Sequence, residues 1–147
     1  MLKLDDLRTA VADGSIDTVA VAFTDMQGRL MGKRLHAGFF LEEIAADHAV
    51  EGCNYLLALE MEMDPVPGYT IASWERGYGD FDLRPDLGTL RRIPWLEGNA
   101  LVLADVAWHD GSPVAPSPRQ ILKRQVDSAA EAGYTAMFGS ELEFFLF

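Results

Sequence analysis

The sequence predicts an α+β fold, a sheet with one helix packed across it, and three observations carry that prediction. Asp17-Thr-Val-Ala-Val-Ala-Phe-Thr24 is an apolar, β-branched run typical of a buried strand. Asp25-Met-Gln-Gly28 follows it as a tight turn, and Arg29–Leu35 reads as the returning strand. Between these and later strand-like runs, residues 39–49 place Phe40, Ile44 and Ala45 on one face, with Glu42, Glu43 and Asp47 outward, as a helix requires.

The remaining elements follow in order. Leu4, Leu7, Ala10 and Val11 recur at helical spacing and predict a short helix closed near Gly14. Tyr55–Glu60 is a candidate strand. Asp64–Gly79 contains Pro65, Pro67, Gly68, Gly77 and Gly79, a long punctuated loop of the kind that is functional or mobile. Two further strands are expected over Thr89–Trp95 and Ala100–Ala107, with Glu97-Gly98-Asn99 turning between them. Asp110–Pro118 holds three prolines in nine residues and reads as a linker. Ser117 then suits an N-cap and Pro118 the first helical position. The helix has Ile121, Leu122, Val126 and Ala129 on one face, and Gly133 suits its C-terminal cap. A last strand is expected from Tyr134 through Phe147. Its end, Phe144-Phe-Leu-Phe147, is wholly apolar and nothing follows to cover it, which predicts an amino-terminal piece of a longer protein.

Composition narrows the function. The 147 residues are 49% apolar and 24% charged, ordinary for a globular chain with a real core. Twelve basic against 23 acidic residues give a net charge of −11, which repels phosphate backbones and argues against nucleic-acid binding. Cys53 is the single cysteine, so an internal disulfide and a Cys-built zinc site are excluded. It reads as a small hydrophobe in a reducing compartment. No apolar run reaches membrane-span length, and Met1-Leu-Lys-Leu-Asp-Asp6 lacks the pattern of a signal peptide. A cytoplasmic protein without a membrane partner is expected.

Glu141 and Glu143 are the sharpest chemical feature. In a strand, residues two apart share a face, so both carboxylates would project together. Adjacent carboxylates repel unless a cation lies between them or one is protonated. Oxygen donors of this kind suit Mg²⁺ or Mn²⁺. A solvated face of an amphipathic strand is the alternative; the apolar flanks Met137-Phe138 and Phe144–Phe147 favour burial and therefore a metal. His36, His48 and His109 have no mutual spacing that builds a metal site and read as surface or capping residues. Lys33-Arg34 and Arg91-Arg92 read as solvated or salt-bridging pairs. No Walker-type glycine loop occurs.

At this point the chain resembles a family. Gly139-Ser-Glu-Leu-Glu-Phe-Phe-Leu-Phe147 is similar to the strand that opens the catalytic domain of glutamine synthetases. Val19–Gly28, Asp80-Phe-Asp-Leu-Arg-Pro-Asp86 with Gly88-Thr-Leu90, Pro94-Trp95, Asp105 with Asp110–Pro113, and Ser117-Pro-Arg119 resemble further family segments in the same order. The resemblance implies a β-grasp-like domain over residues 1–112. Residues 113–147 would then hold the linker, helix and first strand of a truncated catalytic domain. It also implies an ATP-dependent ligase that activates the glutamate γ-carboxyl as an acyl phosphate for attack by ammonia or an amine. Glu141 and Glu143 would be ligands of Mg²⁺ or Mn²⁺. The subunits would self-associate into rings, and the 147 residues alone would be inactive.

One departure from the family bears on the nitrogen donor. The family's Asp-Gly-Ser-Ser loop, whose acid binds ammonium, corresponds here to Pro67-Gly-Tyr-Thr-Ile-Ala-Ser-Trp74, with no acid between Asp64 and Glu75. The resemblance therefore points to the branch that ligates amines or polyamines to glutamate. Trp74 and Asp80 remain in that loop; each reads as structural first, and as a contributor to a neighbouring subunit's site in the alternative. A non-catalytic β-grasp module that oligomerises or binds a partner is the rival expectation.

Overall fold

The computed structural model describes residues 1–147 except Asp47 and Arg76, so the outward place expected for Asp47 lies outside the described residues. Helix α1 (Leu4–Ala12) leads into strand β1 (Ile16–Thr24), which turns into β2 (Leu30–His36). Helix α2 (Ala37–Glu42) and a 3₁₀ turn (Ile44–Ala46) precede β3 (Val50–Cys53). A second 3₁₀ turn (Asn54–Leu57) opens the long loop. Strands β4 (Asp80–Pro85), β5 (Arg91–Arg92) and β6 (Gly98–Ala107) follow, and α3 (Pro118–Glu131) comes last. The architecture is mixed α+β, as expected.

The sheet order is β2-β1-β6-β4-β3, with β5 also paired to β6. β1 and β6 are parallel, and every other pair is antiparallel. Val19, Val21 and Phe23 of β1, Phe81 and Leu83 of β4, and Val102 and Val106 of β6 are fully or almost fully buried. Leu7 of α1 and Phe40 of α2 close over them. The Phe23 and Phe81 rings meet edge to face with centroids 5.3 Å apart, a preferred aromatic geometry.

The β1–β2 hairpin forms where the sequence puts it. Gly28 sits at φ 83°, the left-handed conformation its turn requires. Gly32 in β2 is needed for a different reason: a Cβ there would lie 2.0 Å from the Val21 carbonyl oxygen.

Five expectations are corrected. Tyr55–Glu60 is a 3₁₀ turn and loop rather than a strand, although Leu57, Ala58 and Leu59 are buried. The Asn54 side chain reaches back to the loop and ends the extended backbone, and a short apolar run does not itself specify a strand. Thr89–Trp95 contributes only the two residues of β5. Asp86 caps a 3₁₀ turn at Leu87–Thr89 just before them, its carboxylate accepting from the Gly88 N–H. Gly98 opens β6 instead of belonging to a turn. The helix expected over residues 39–49 is shorter and earlier, because the His36 ring caps α2 by accepting from the Gly38 N–H. Finally, residues 134–147 form no strand. No neighbouring strand pairs with them, and an isolated strand has no partner for its backbone polar groups.

Two strands were missed. β3 is only four residues long, and β4 carries acids and a proline. Phe81 and Leu83 alternate inward on β4, while the buried Asp82 is paired with Arg84 at 3.3 Å and hydrogen-bonded to the His109 ring at 2.9 Å.

Candidate functional site

The loop between the second 3₁₀ turn and β4 is the most elaborate surface feature. Its first part is a small hairpin: the Val66 N–H donates to the Ala58 carbonyl at 2.8 Å, and the Glu60 N–H to the Asp64 carbonyl at 3.0 Å. Its second part is fastened by Asn54, which is buried at the base. The Asn54 amide donates to the Ile71 carbonyl at 3.0 Å, and its side-chain oxygen accepts from the Gly79 N–H at 3.3 Å. A single side chain thus ties two distant points of the loop together.

Between these fastenings lies a cavity of about 230 Å³ walled by Tyr55, Pro65, Pro67, Trp74, Glu75 and Tyr78. The three aromatic rings form a chain, Tyr55–Tyr78 at 5.5 Å and Tyr78–Trp74 at 6.2 Å between centroids, both edge to face. Trp74 is 82% exposed, so most of a large apolar ring faces water. Hydrogen bonds from the Glu75 backbone N–H and the Ser73 side chain hold the Glu75 carboxyl below its usual range, so one anionic group stands at the rim. Aromatic faces beside a carboxylate suit an organic cation or a small amphipathic amine.

Asp80 does not share that cavity. It opens β4 opposite Cys53 of β3 and lines a second cavity of about 290 Å³ with Gly32, Lys33, Gly52 and Cys53. β2 and β3 stand at opposite ends of the sheet order yet wall this same cavity, so the sheet is strongly curled. Burial, then the Asp80 charge and hydrogen bond, raise the Cys53 thiol above its ordinary pKa. A thiol so placed is less often a thiolate, which suits the small-hydrophobe reading.

Glu141 and Glu143 are exposed and lie in the segment without regular structure. Among the described residues no three His, Cys, Asp or Glu side chains gather as a metal site. The two carboxylates are thus near each other in sequence but are joined by no other ligand. The three histidines behave as surface groups: His36 caps α2, His48 meets Glu43 at 2.9 Å, and His109 meets Asp82 at 2.9 Å.

Sequence reasoning missed the residues that hold the loop: Asn54, Asp25 and Arg29. Asp25 is 1% exposed in the β1–β2 turn. Its carboxylate accepts from the Gln27 and Arg29 N–H groups at 3.0 and 2.8 Å and from Arg29 Nε at 2.7 Å. Burial alone would raise its pKa, but the Arg29 side chain and these backbone donors outweigh burial and hold the carboxyl below its ordinary value. An acid at the start of a turn with arginine four residues later was the available signal.

Elsewhere on the sheet, Arg119 on the first turn of α3 bridges Asp86 and Asp105, and Lys123 also pairs with Asp105. These charges dock α3, none of whose residues is fully buried.

The comparisons with known proteins agree with the family segments named above. The family described as "Glutamine synthetase, catalytic domain" matches residues 115–147. A gamma-glutamylethanolamide synthetase, GlnA4, of Streptomyces coelicolor is 58% identical over 146 residues, 99% of this chain and 31% of that protein. A glutamate–isopropylamine ligase of a Pseudomonas species is 34% identical over 140 residues, 95% of this chain and 30% of that protein. The chain spans about a third of the length of these relatives. Among solved structures, GmaS in complex with ADP superposes with a TM-score of 0.63 at 23% identity, over 86% of this chain and 26% of that one, a likeness of fold. Its ordered motifs and these relatives together make the chain similar to the glutamine synthetases along nearly its whole length, and to the gamma-glutamyl-amine ligases among them.

Proposed function

We propose that the chain is part of an ATP-dependent ligase that joins the γ-carboxyl of glutamate to an amine through an acyl phosphate. The observation that carries this reading is the 58% identity, along nearly the whole chain, with a gamma-glutamylethanolamide synthetase. The loop supports the choice of donor. No acid stands between Asp64 and Glu75, and the cavity there is walled by rings and prolines that suit the carbon skeleton of an amine better than bare ammonium.

Residues 1–112 are read as the β-grasp domain, and residues 113–147 as the start of the catalytic domain. The family match beginning at residue 115 is consistent with that boundary. In a ring of subunits the Trp74 loop, with Asp80 at its end, would face the neighbouring subunit's site, and the rim of that site would be incomplete without it. This chain alone is expected to be inactive and to act in the cytoplasm as part of the full-length protein.

Glu141 and Glu143 are the metal ligands in this reading. Both are hard oxygen donors, and neither is engaged in an ion pair among the described residues, so the donor set fits part of an Mg²⁺ or Mn²⁺ shell. Held by these carboxylates, such an ion would supply charge neutralisation to the phosphoryl group that ATP transfers. The remaining steps ask the loop to bind and orient the amine and exclude water around it, with Glu75 offering a carboxylate to the ammonium form.

The test is phosphate release by the full-length protein with glutamate, ATP and a donor panel of ethanolamine, isopropylamine, a polyamine and ammonium. An amine should be the preferred donor by kcat/KM. A clear preference for ammonium overturns the reading of the loop, and no turnover with any donor overturns the ligase.

A further inference from the structure

We propose that buried Asp25 and its half-buried partner Arg29 form a positioning device that fixes the aromatic loop, so that Arg29 governs how tightly the amine is held without touching it. The inference rests on the proposed role of that loop in binding the amine. Arg29 spends its guanidinium on the loop as well as on Asp25. Its two terminal nitrogens donate to the Met61 carbonyl at 2.8 Å and the Glu60 carbonyl at 2.9 Å. Gln27, from the same turn, donates to the Leu59 carbonyl at 2.8 Å. Three consecutive loop carbonyls are therefore held by two side chains from a hairpin about thirty residues earlier.

The geometry divides the work between the two oxygens of the buried carboxylate. Asp25 uses one oxygen to order the turn backbone and the other to aim Nε of Arg29. The planar fork of arginine can then keep its two outer nitrogens on two adjacent carbonyls, which the single ammonium of lysine cannot do with the same geometry. Those carbonyls belong to the small hairpin whose return strand, Pro65 to Pro67, forms one wall of the aromatic cavity. Release of these carbonyls would free the hairpin and shift that wall against Tyr55 and Trp74. A displacement of about 1 Å at a binding wall is enough to cost a large factor in productive binding.

The experiment compares the full-length protein with its Arg29→Met and Arg29→Lys variants by two readouts. Amide hydrogen exchange over residues 58–66 reports the anchoring directly and needs no activity. Steady-state kinetics with ethanolamine report its use. Arg29→Met should speed exchange over 58–66 while leaving β1 and β6 protected. It should also raise the amine KM on the order of tenfold, with kcat and the glutamate KM changed less than about twofold. Arg29→Lys should recover part of both effects. Unchanged exchange in Arg29→Met overturns the anchoring role whatever the protein's activity. Faster exchange with an unchanged amine KM, in a protein that ligates amines, overturns the link to the substrate and leaves the ligase reading standing. Faster exchange in β1 and β6 as well would mean that Arg29 supports the whole sheet, which also overturns the proposal.

Discussion

The aromatic loop and the segment over residues 134–147 both lack helix and long strand, and both carry candidate site residues, yet they are held in opposite ways. The loop is fastened at three places by side chains from elsewhere in the chain: Asn54, Gln27 and Arg29. The later segment has Phe138, Phe144 and Phe145 each more than three-quarters exposed and forms no strand. One is a surface built by this fold; the other carries a motif whose environment this chain does not supply. Residue chemistry and residue position are therefore separate facts, and each region holds one of them more fully.

The largest expected effect sharpens that contrast at the weaker end. Glu143→Ala in the full-length protein should reduce ATP-dependent ligation about a thousandfold or more, because loss of a metal ligand removes charge stabilisation worth several kcal/mol. The assembly, measured by light scattering, should be unchanged. Near-normal turnover with saturating Mg²⁺ would sink the metal assignment and leave Glu141 and Glu143 as a solvated pair.

What the sequence revealed divides along the same line. The β1–β2 hairpin, α1, α3 and most of β6 were legible because each has a strong local signal: alternating or continuous apolar residues, a glycine at the turn, Ser-Pro at a helix start. β3 and β4 were not. Their pairing with each other and with β6 is decided by tertiary partners, and Asp82 looks like a loop residue until its partners Arg84 and His109 are seen. The opposite error occurred at Tyr55–Glu60, where burial is real but the backbone turns. In the site, the missing acid before Trp74 was readable, whereas the hold of Arg29 on Glu60 and Met61 was not, because nothing local links residues about thirty apart.

The next effect tests the two regions side by side. Asn54→Ala leaves the Ile71 carbonyl and the Gly79 N–H without their buried partner, which should cost about 1–3 kcal/mol. Deletion of residues 134–147 removes no buried side chain and should leave the denaturation midpoint almost unchanged. The deletion should also lower self-association, since the exposed phenylalanines carry much of the apolar surface. Chemical denaturation followed by circular dichroism, with light scattering on the same samples, reads both. A deletion that unfolds residues 1–112 would show that the boundary at the proline-rich linker is misplaced.

The smallest effect is a pH dependence at the loop's anchor. The folded Asp25 carboxyl titrates below its unfolded value of about 3.9, with burial opposing the shift and the Arg29 and Gln27 hydrogen bonds overcoming it. A depressed carboxylate contributes stability that is complete above the unfolded pKa and is lost as pH falls through the folded one. Asp25→Asn removes that titration while keeping a side-chain acceptor for the turn. The stability gap between the native chain and this variant should thus be constant from about pH 7 to pH 5 and shrink as the pH drops below about 4. Urea midpoints collected across that range measure the gap. A gap that widened in acid would mean that burial, and not Arg29, controls the carboxyl, and the anchor would then be a turn without a grip on the loop.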